Sequence, residues 1–286
     1  MTDIRTWQQA VDYTFQTRHS WRHGTGRKTS AINCNHFTRL RGSSFPITSI
    51  NQPIITTVGI ELEDEGKSDA TINRVVSAVS TVLNHLAFDG IIEQAPRFRR
   101  RKEGEGRALF YTKPEVEQMY DAALTVFHRQ DIADITLIAA YCGARRGELL
   151  KLKRRDIDFG LNTIHIGGLP DVKTKAANYR AVPIHDRIHN LLDEKCSQLA
   201  SSDLVFGRDW TSGDQLLRSF NKVRKFINKD EAYVFHSLRH SFGTWCAEAA
   251  VPIRTIMSLM GHKRIETTLR YAKTTDRART EAIARI

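Results

Sequence analysis

The 286 residues include 43 Lys and Arg against 32 Asp and Glu, a formal net charge of +11 with a pI near 9.7, which favours a polyanionic partner, a nucleic acid or an anionic membrane surface. No apolar run reaches the roughly 20 residues of a membrane span, and the opening Met1-Thr2-Asp3-Ile4-Arg5 carries no apolar signal core. Cys34, Cys142, Cys196 and Cys246 are scattered without CxxC spacing, so neither a zinc site nor a disulfide framework is indicated, and free thiols in a reducing cytoplasm are expected.

The length suits two domains, each able to bury a core. The first hundred residues read as all-helical. A first helix is expected over 7–15, with Ala10, Val11, Thr14 and Phe15 on one side. Residues 19–41 then hold, within or beside them, Arg18, Arg22, Arg27, Lys28, Arg39 and Arg41 with few acids. Such a run is either a solvated surface or a face that contacts phosphates. The sharpest element is 71–86. There Val75, Val76, Val79, Val82, Leu83 and Leu86 form one amphipathic stripe, with Ser68 or Asp69 as cap and Gly90 beyond the end.

A boundary follows. Residues 94–106 hold Pro96, Gly104 and Gly106 around Arg97, Arg99, Arg100, Arg101 and Lys102, a composition that suits an exposed linker able to lie along a phosphate backbone. We therefore expect a helical domain over 1–103, a linker over 104–111 and a second domain over 112–286. The second opens on a capping box, Thr112 to Glu115. Val116, Met119, Tyr120, Ala123, Leu124 and Phe127 share one helix face, and 131–141 reads as a buried helix ending at Gly143. Arg145 then emerges with Glu148 three residues on, a spacing at which the two can satisfy each other. Residues 163–166 and 181–185 alternate as two short strands of a small antiparallel sheet, joined by a turn that contains Lys173 and Lys175. Helices are expected over 187–199 and 216–227.

The last part of the chain concentrates reactive groups. His236 and Arg239 lie three apart on a helical segment and leave one face. Val251-Pro252 breaks that helix, and Ile253, Ile256, Met257 and Met260 begin another that Gly261 ends. His262 then starts a turn, and Thr267 or Thr268 is expected to cap a last short helix carrying Tyr271. The tail 274–286 places Ala278, Ala282, Ile283 and Ile286 at helical spacing. An isolated helix this short is marginal.

Three motifs carry a family resemblance. His236-Ser237-Leu238-Arg239-His240, Leu259-Met260-Gly261-His262 and Tyr271 follow one another with the spacing HxLRH, LxGH and Tyr nine residues later; residues 143–158 fit GxRxxELLxLxxxDID; and residues 173–183 resemble a KTxxxxRxVP hairpin. Together they resemble the tyrosine recombinase (phage integrase) family. Residues 68–92 are similar, less specifically, to the last helices of that family's core-binding domain. The chain departs from the family at Cys142, where Thr is usual, and at Arg154, where Trp is common.

The resemblance implies a mainly α fold with a small antiparallel β-sheet: a helical core-binding domain that clamps duplex DNA, and an α+β catalytic domain. It implies Arg145, Lys173, His236, Arg239, His262 and Tyr271 as the catalytic set, with Glu148 holding Arg145. Lys175 is the alternative to Lys173. DNA contacts are expected from Arg39, Arg41, Arg99, Arg100 and Arg101. It also implies a 3′-phosphotyrosyl intermediate, a tetramer on two double-stranded DNA sites with the tail docked on a neighbour, and an accessory DNA-bending protein as a further partner. No accessory-site domain fits before Trp7, so a minimal two-domain member is expected, acting in a bacterial cytoplasm with no membrane partner.

The chemistry is consistent with that set. Exchanging phosphodiesters needs a nucleophile, charge on the nonbridging oxygens and a proton for the leaving oxygen. A phenolate ester of phosphate conserves the bond energy, so no ATP is needed. Two guanidinium forks grip the phosphoryl oxygens, and a lysine protonates the 5′-oxygen. Tyr271 needs help to lose its proton at neutral pH, from His236 or from the phosphate environment. No carboxylate cluster for Mg²⁺ is evident, and a mechanism without cofactors is expected. A DNA-binding regulator that has lost its chemistry, or a type IB topoisomerase, would share much of this pattern. The intact set of reactive side chains argues against the regulator.

Overall fold

A computed structural model describes residues 3–24, 26–104, 109–169, 179–207, 210, 213–271 and 283–284. The chain divides into two units, Met1–Gly106 and Arg107–Ile286. Among the described residues the architecture is mainly helical with one small antiparallel sheet, as the sequence predicts. Among the described residues no helix is long and apolar enough to cross a membrane.

The described part of the first unit consists of α1 (Trp7–Thr17), α2 (His19–Arg22), α3 (Arg27–Arg41), α4 (Gln52–Asp64) and α5 (Asp69–Phe88), with a 3-10 turn at Ile47–Ser49. The valine stripe of α5 is its core: Val75, Val76, Val79, Val82, Leu83 and Leu86 are buried beside Trp7, Phe37 and Leu62. Each valine costs a helix a few tenths of a kcal/mol to about 0.7 kcal/mol relative to alanine. Full burial returns roughly 1.5–3 kcal/mol, so packing decides the conformation. Ser68 caps α5, its Oγ accepting from the Thr71 amide. The helix α4 has no counterpart in the sequence reading, although Asn51 caps it and Pro53 sits in its first turn.

The basic stretch read as an exposed linker is in part held down. The buried Asn73 side chain donates to Arg101 O at 2.9 Å and accepts from the Arg101 amide at 2.9 Å. The Arg101 guanidinium covers Gly59, where a Cβ would meet Nη2 at 3.3 Å.

In the second unit α6 (Lys113–Thr125) begins with the Thr112–Glu115 capping box. The helix α7 (Gln130–Cys142) is buried from Ile132 to Cys142 and packs against α6, α9 (Asp186–Cys196), α10 (Gly213–Phe226) and α11 (His236–Glu248). It ends at Gly143 in the left-handed region (φ 62°). A Cβ there would also lie 2.5 Å from Phe242 Cδ1. After the single turn α8 (Arg146–Leu149) come β1 (Ile157–Asp158), β2 (Thr163–Ile166) and β3 (Arg180–Pro183). The sheet order is β1-β2-β3, antiparallel throughout, with Ile164 opposite both Ile157 and Val182. The first strand is additional to the two expected. The third begins at Arg180 and stops before His185, because the His185 ring caps α9 by accepting from the Arg187 amide at 3.0 Å. The unit's last described helices are α12 (Ile253–Met260) and α13 (Ile265–Leu269).

Candidate active site

The site forms where the ends of several helices meet. Arg239 leaves the first turn of α11 and is buried, 2% exposed. Its Nη1 donates to Gly143 O at 2.6 Å and its Nη2 to Met260 O. Those carbonyls sit at the C-terminal ends of α7 and α12, where the helix dipoles are negative. Gly261, left-handed at φ 63°, ends α12 as expected. Burial, then Arg145 and Arg180, lower the Arg239 pKa to about 10, against a smaller opposing pull from Glu148. It therefore stays cationic at neutral pH.

Glu148 links two more guanidinium groups. It accepts from Arg145 Nη1 at 2.9 Å and from the Arg145 amide at 2.7 Å. It also accepts both forks of Arg180, Nη1 at 3.1 Å and Nη2 at 2.8 Å. Burial pushes its pKa up, but the Arg180 hydrogen bonds, the Arg145 amide, the Arg180 charge and the Arg145 side-chain hydrogen bond together bring it down to about 2. The third contact of Arg180, Nε to Leu259 O at 2.8 Å, ties β3 to the end of α12. Two guanidinium groups thus bond one carboxylate while Arg239, held on the two carbonyls, feels its charge, and the described side chains leave an excess of positive charge in a half-buried setting. Such a setting suits an anion.

The phenol lies beside this charge. Tyr271 follows the end of α13, is 7% exposed, and its Oη is 2.7 Å from Nδ1 of His240. The His262 ring is parallel to the tyrosine ring at 6.3 Å between centroids, and Nδ1 of His262 is 2.9 Å from Oγ1 of Thr268. His236 sits edge-on to His240, 4.9 Å between centroids. Burial first, then neighbouring cations, lowers all three imidazole pKa values, to about 4 for His240 and His262. Burial raises that of Tyr271, opposed by Arg239, Arg270 and Arg145. At neutral pH these rings are uncharged and the phenol keeps its proton.

Of the residues singled out in the sequence, Arg145, Glu148, His236, Arg239, His262 and Tyr271 are gathered here, while Lys173 and Lys175 lie outside the described residues. The expected Thr267 or Thr268 cap is not formed. The helix α13 starts at Ile265 after Arg264, without a side-chain cap, and Thr268 is buried within it, occupied with His262. Two participants were missed. Arg180 and His240 both stand inside the quoted motifs, yet what each touches, Glu148 and Tyr271, is far off in the chain. A signal existed for His240, whose spacing of four from His236 puts both rings on one helix face.

In the first unit, Arg39 pairs with Glu65 at 2.7 Å and Arg41 grips Glu61 with both nitrogens at 2.9 and 3.0 Å. Arg101 pairs with Glu63 at 2.9 Å and Asp69 at 3.1 Å. The side chains of Arg99 and Arg100 are exposed.

Comparison with known proteins places this arrangement among relatives. Residues 110–278 match the model of the phage integrase family. A tyrosine recombinase XerA of Thermococcus onnurineus is 30% identical over 223 residues, 75% of this chain and 74% of the relative. A tyrosine recombinase XerD of Oceanobacillus iheyensis is 26% identical over 230 residues, again 75% and 74%. Among solved structures, the Tn1549 transposon integrase in complex with a circular intermediate DNA aligns over 99% of each chain with a TM-score of 0.77 at 19% identity. A lambda integrase dimer bound to a COC′ core site aligns over 96% of this chain and 77% of that one, with a TM-score of 0.71 at 20% identity. At such identities the structural likeness establishes the fold.

Proposed function

The chain belongs to the phage integrase family of tyrosine recombinases, and from that membership we propose that it is a site-specific DNA recombinase that integrates or excises a mobile element. Tyr271 attacks the scissile phosphate, and the strand is carried as a 3′-phosphotyrosyl ester while its 5′-hydroxyl leaves. Arg145 and Arg239 hold the nonbridging oxygens as negative charge builds. His236 and His262 add hydrogen bonds to that phosphate. Glu148 keeps Arg145 in place, and Lys173, or Lys175, protonates the leaving 5′-oxygen. The energy of the broken ester is kept in the new one, so no ATP is required, and the two arginines and the lysine supply the positive charge that a metal supplies elsewhere. The protein works as a tetramer on two duplex sites, its tail docked on a neighbour, and an accessory DNA-bending protein assists. The residues 1–103 clamp the duplex, residues 104–111 link, and residues 112–286 carry the chemistry.

One observation supports this reading above the others: a buried phenol lies within reach of the charge of Arg145, Arg239 and Arg270, beside Glu148, whose carboxylate bonds Arg145 and Arg180. A regulator without chemistry has no use for that combination. The test is incubation with a pool of nicked duplexes randomised across the crossover, followed by denaturing gels and sequencing of protein-linked strands. A covalent adduct is expected with wild type and none with Tyr271→Phe, which should still shift duplex DNA. An adduct retained by the phenylalanine variant would refute the assignment. Recombination between two copies of the recovered site then distinguishes a recombinase from a topoisomerase.

A further inference from the structure

The hydroxyl that would attack phosphorus already has a partner, and it is not His236. The nearest imidazole nitrogen to Tyr271 Oη is Nδ1 of His240, at 2.7 Å. We propose that His240 is the proton acceptor for Tyr271, catalytic in its own right through direct contact with the reacting oxygen. The inference rests on the strand-cleaving role of Tyr271 proposed above and adds to it where the phenolic proton goes.

The geometry defines the step. Tyr271 Oη–H donates to Nδ1, with the ring proton of His240 on Nε2. As Oη bonds to phosphorus its proton passes to Nδ1, making an imidazolium. The bond from phosphorus to the 5′-oxygen breaks, and that oxygen takes a proton from the lysine general acid. In the return reaction a 5′-hydroxyl attacks the phosphotyrosine, the lysine recovers its proton, and Nδ1 gives its own back to the departing phenolate. Atoms and charge balance in both directions without a further reactant.

The surroundings explain why the acceptor would be idle until DNA arrives. Burial first, then the charges of Arg270 just past α13 and Arg239 on its own helix, with His236 adding repulsion only when protonated, lower the His240 pKa to about 4. An imidazole that weakly basic takes no proton from a phenol whose own pKa is raised. A phosphodiester seated against Arg239 and its neighbours brings the missing negative charge. It offsets the repulsion between those cations and an imidazolium, so basicity recovers as substrate binds. Thr268 holds Nδ1 of His262, which leaves that ring nitrogen engaged elsewhere.

The test is single-turnover cleavage of a nicked duplex carrying the recovered crossover sequence, measured across pH. The variants are His240→Asn, His240→Ala and, as a control, His236→Asn. Asparagine keeps an acceptor near the position of Nδ1 but takes no proton. With its DNA affinity and melting intact, His240→Asn should cleave about 100-fold or more slowly. It should also lose the acid limb of the wild-type profile, and added imidazole should restore rate to His240→Ala. A His240→Asn enzyme with wild-type rate and pH profile would overturn the proposal. So would a slow variant whose acid limb survives and which imidazole does not rescue, since that pattern belongs to a positioning residue. Absence of adduct from the wild type itself would instead refute the strand-cleaving reading, so the two failures are distinguishable.

Discussion

Gly243 on α11 and the ring of Tyr271 occupy one another's space: a Cβ at position 243 would lie 2.9 Å from both Cε2 and Cζ of the tyrosine and equally close to Met260 Sδ. The helix lacks a side chain where the phenol must lie flat to reach His240. In Gly243→Ala the methionine tip can yield, but the phenol cannot keep both its place and its 2.7 Å bond. Small misplacements of a reacting atom cost up to about 100-fold in rate. We expect adduct formation to fall at least about tenfold while duplex binding is unchanged, because alanine favours the helix itself by about 1 kcal/mol. Single-turnover cleavage beside a gel-shift titration checks this; an unchanged rate would mean the ring is free to move during reaction.

Glu148 should dominate the acid limb of stability. Its pKa is about 2 in the folded protein against an ordinary 4.5. A depressed carboxylate contributes stability that is fully present above the unfolded value and is lost as pH falls from about 4.5 through about 2. Glu148→Gln should flatten the dependence in that window. Glu148→Ala leaves Arg180 buried without its partner and should cost about 3–5 kcal/mol. Urea melts at pH 7 and pH 3 measure both; equal acid sensitivity in wild type and the glutamine variant would assign the linkage elsewhere.

What could be read in advance was whatever depends on near neighbours. The Thr112–Glu115 box, the valine stripe of α5 and the left-handed glycines at 143 and 261 each have a local cause, and each is found where it was expected. What failed depends on distance. The Thr268 hydroxyl resembles a cap locally, yet it meets His262. Arg180, just outside the strand expected over 181–185, is the first buried residue of β3, and its carboxylate partner is 32 positions away. His240 reads as a second histidine of a motif until the chain brings Tyr271 back 31 residues later. The short strand Ile157–Asp158 carries too few residues to show alternation at all.

The basic residues of the first unit should separate into two classes. Arg41 is committed to Glu61 through both nitrogens with its side chain 13% exposed, whereas Arg99 and Arg100 are exposed. Arg99→Ala and Arg100→Ala are each expected to weaken duplex binding uniformly across sequences and to reduce the slope of log affinity against log salt by about 1. Arg41→Ala should instead lower the melting temperature with little change in that slope. Fluorescence anisotropy at several salt concentrations decides; a salt slope that responds to Arg41 alone would reverse the assignment.

Arg239 should matter far more to chemistry than to folding. Its charge is held at a cost, shown by the pKa lowered to about 10 by burial and by Arg145 and Arg180. Replacing it with methionine removes that cost but strands the carbonyls of Gly143 and Met260. An unsatisfied buried acceptor costs roughly 1–3 kcal/mol, and the relief of buried, mutually repelling charge offsets part of it. The net loss in Arg239→Met should therefore stay within about 2–3 kcal/mol by guanidinium melts. Cleavage should fall by about 100-fold or more, since a preorganised cation facing developing negative charge is lost. Arg239→Lys keeps the charge but cannot reach two helix ends with one planar fork, and it should recover little of the rate. A methionine variant that cleaves normally but melts far earlier would make Arg239 a clamp between α7 and α12 and nothing more.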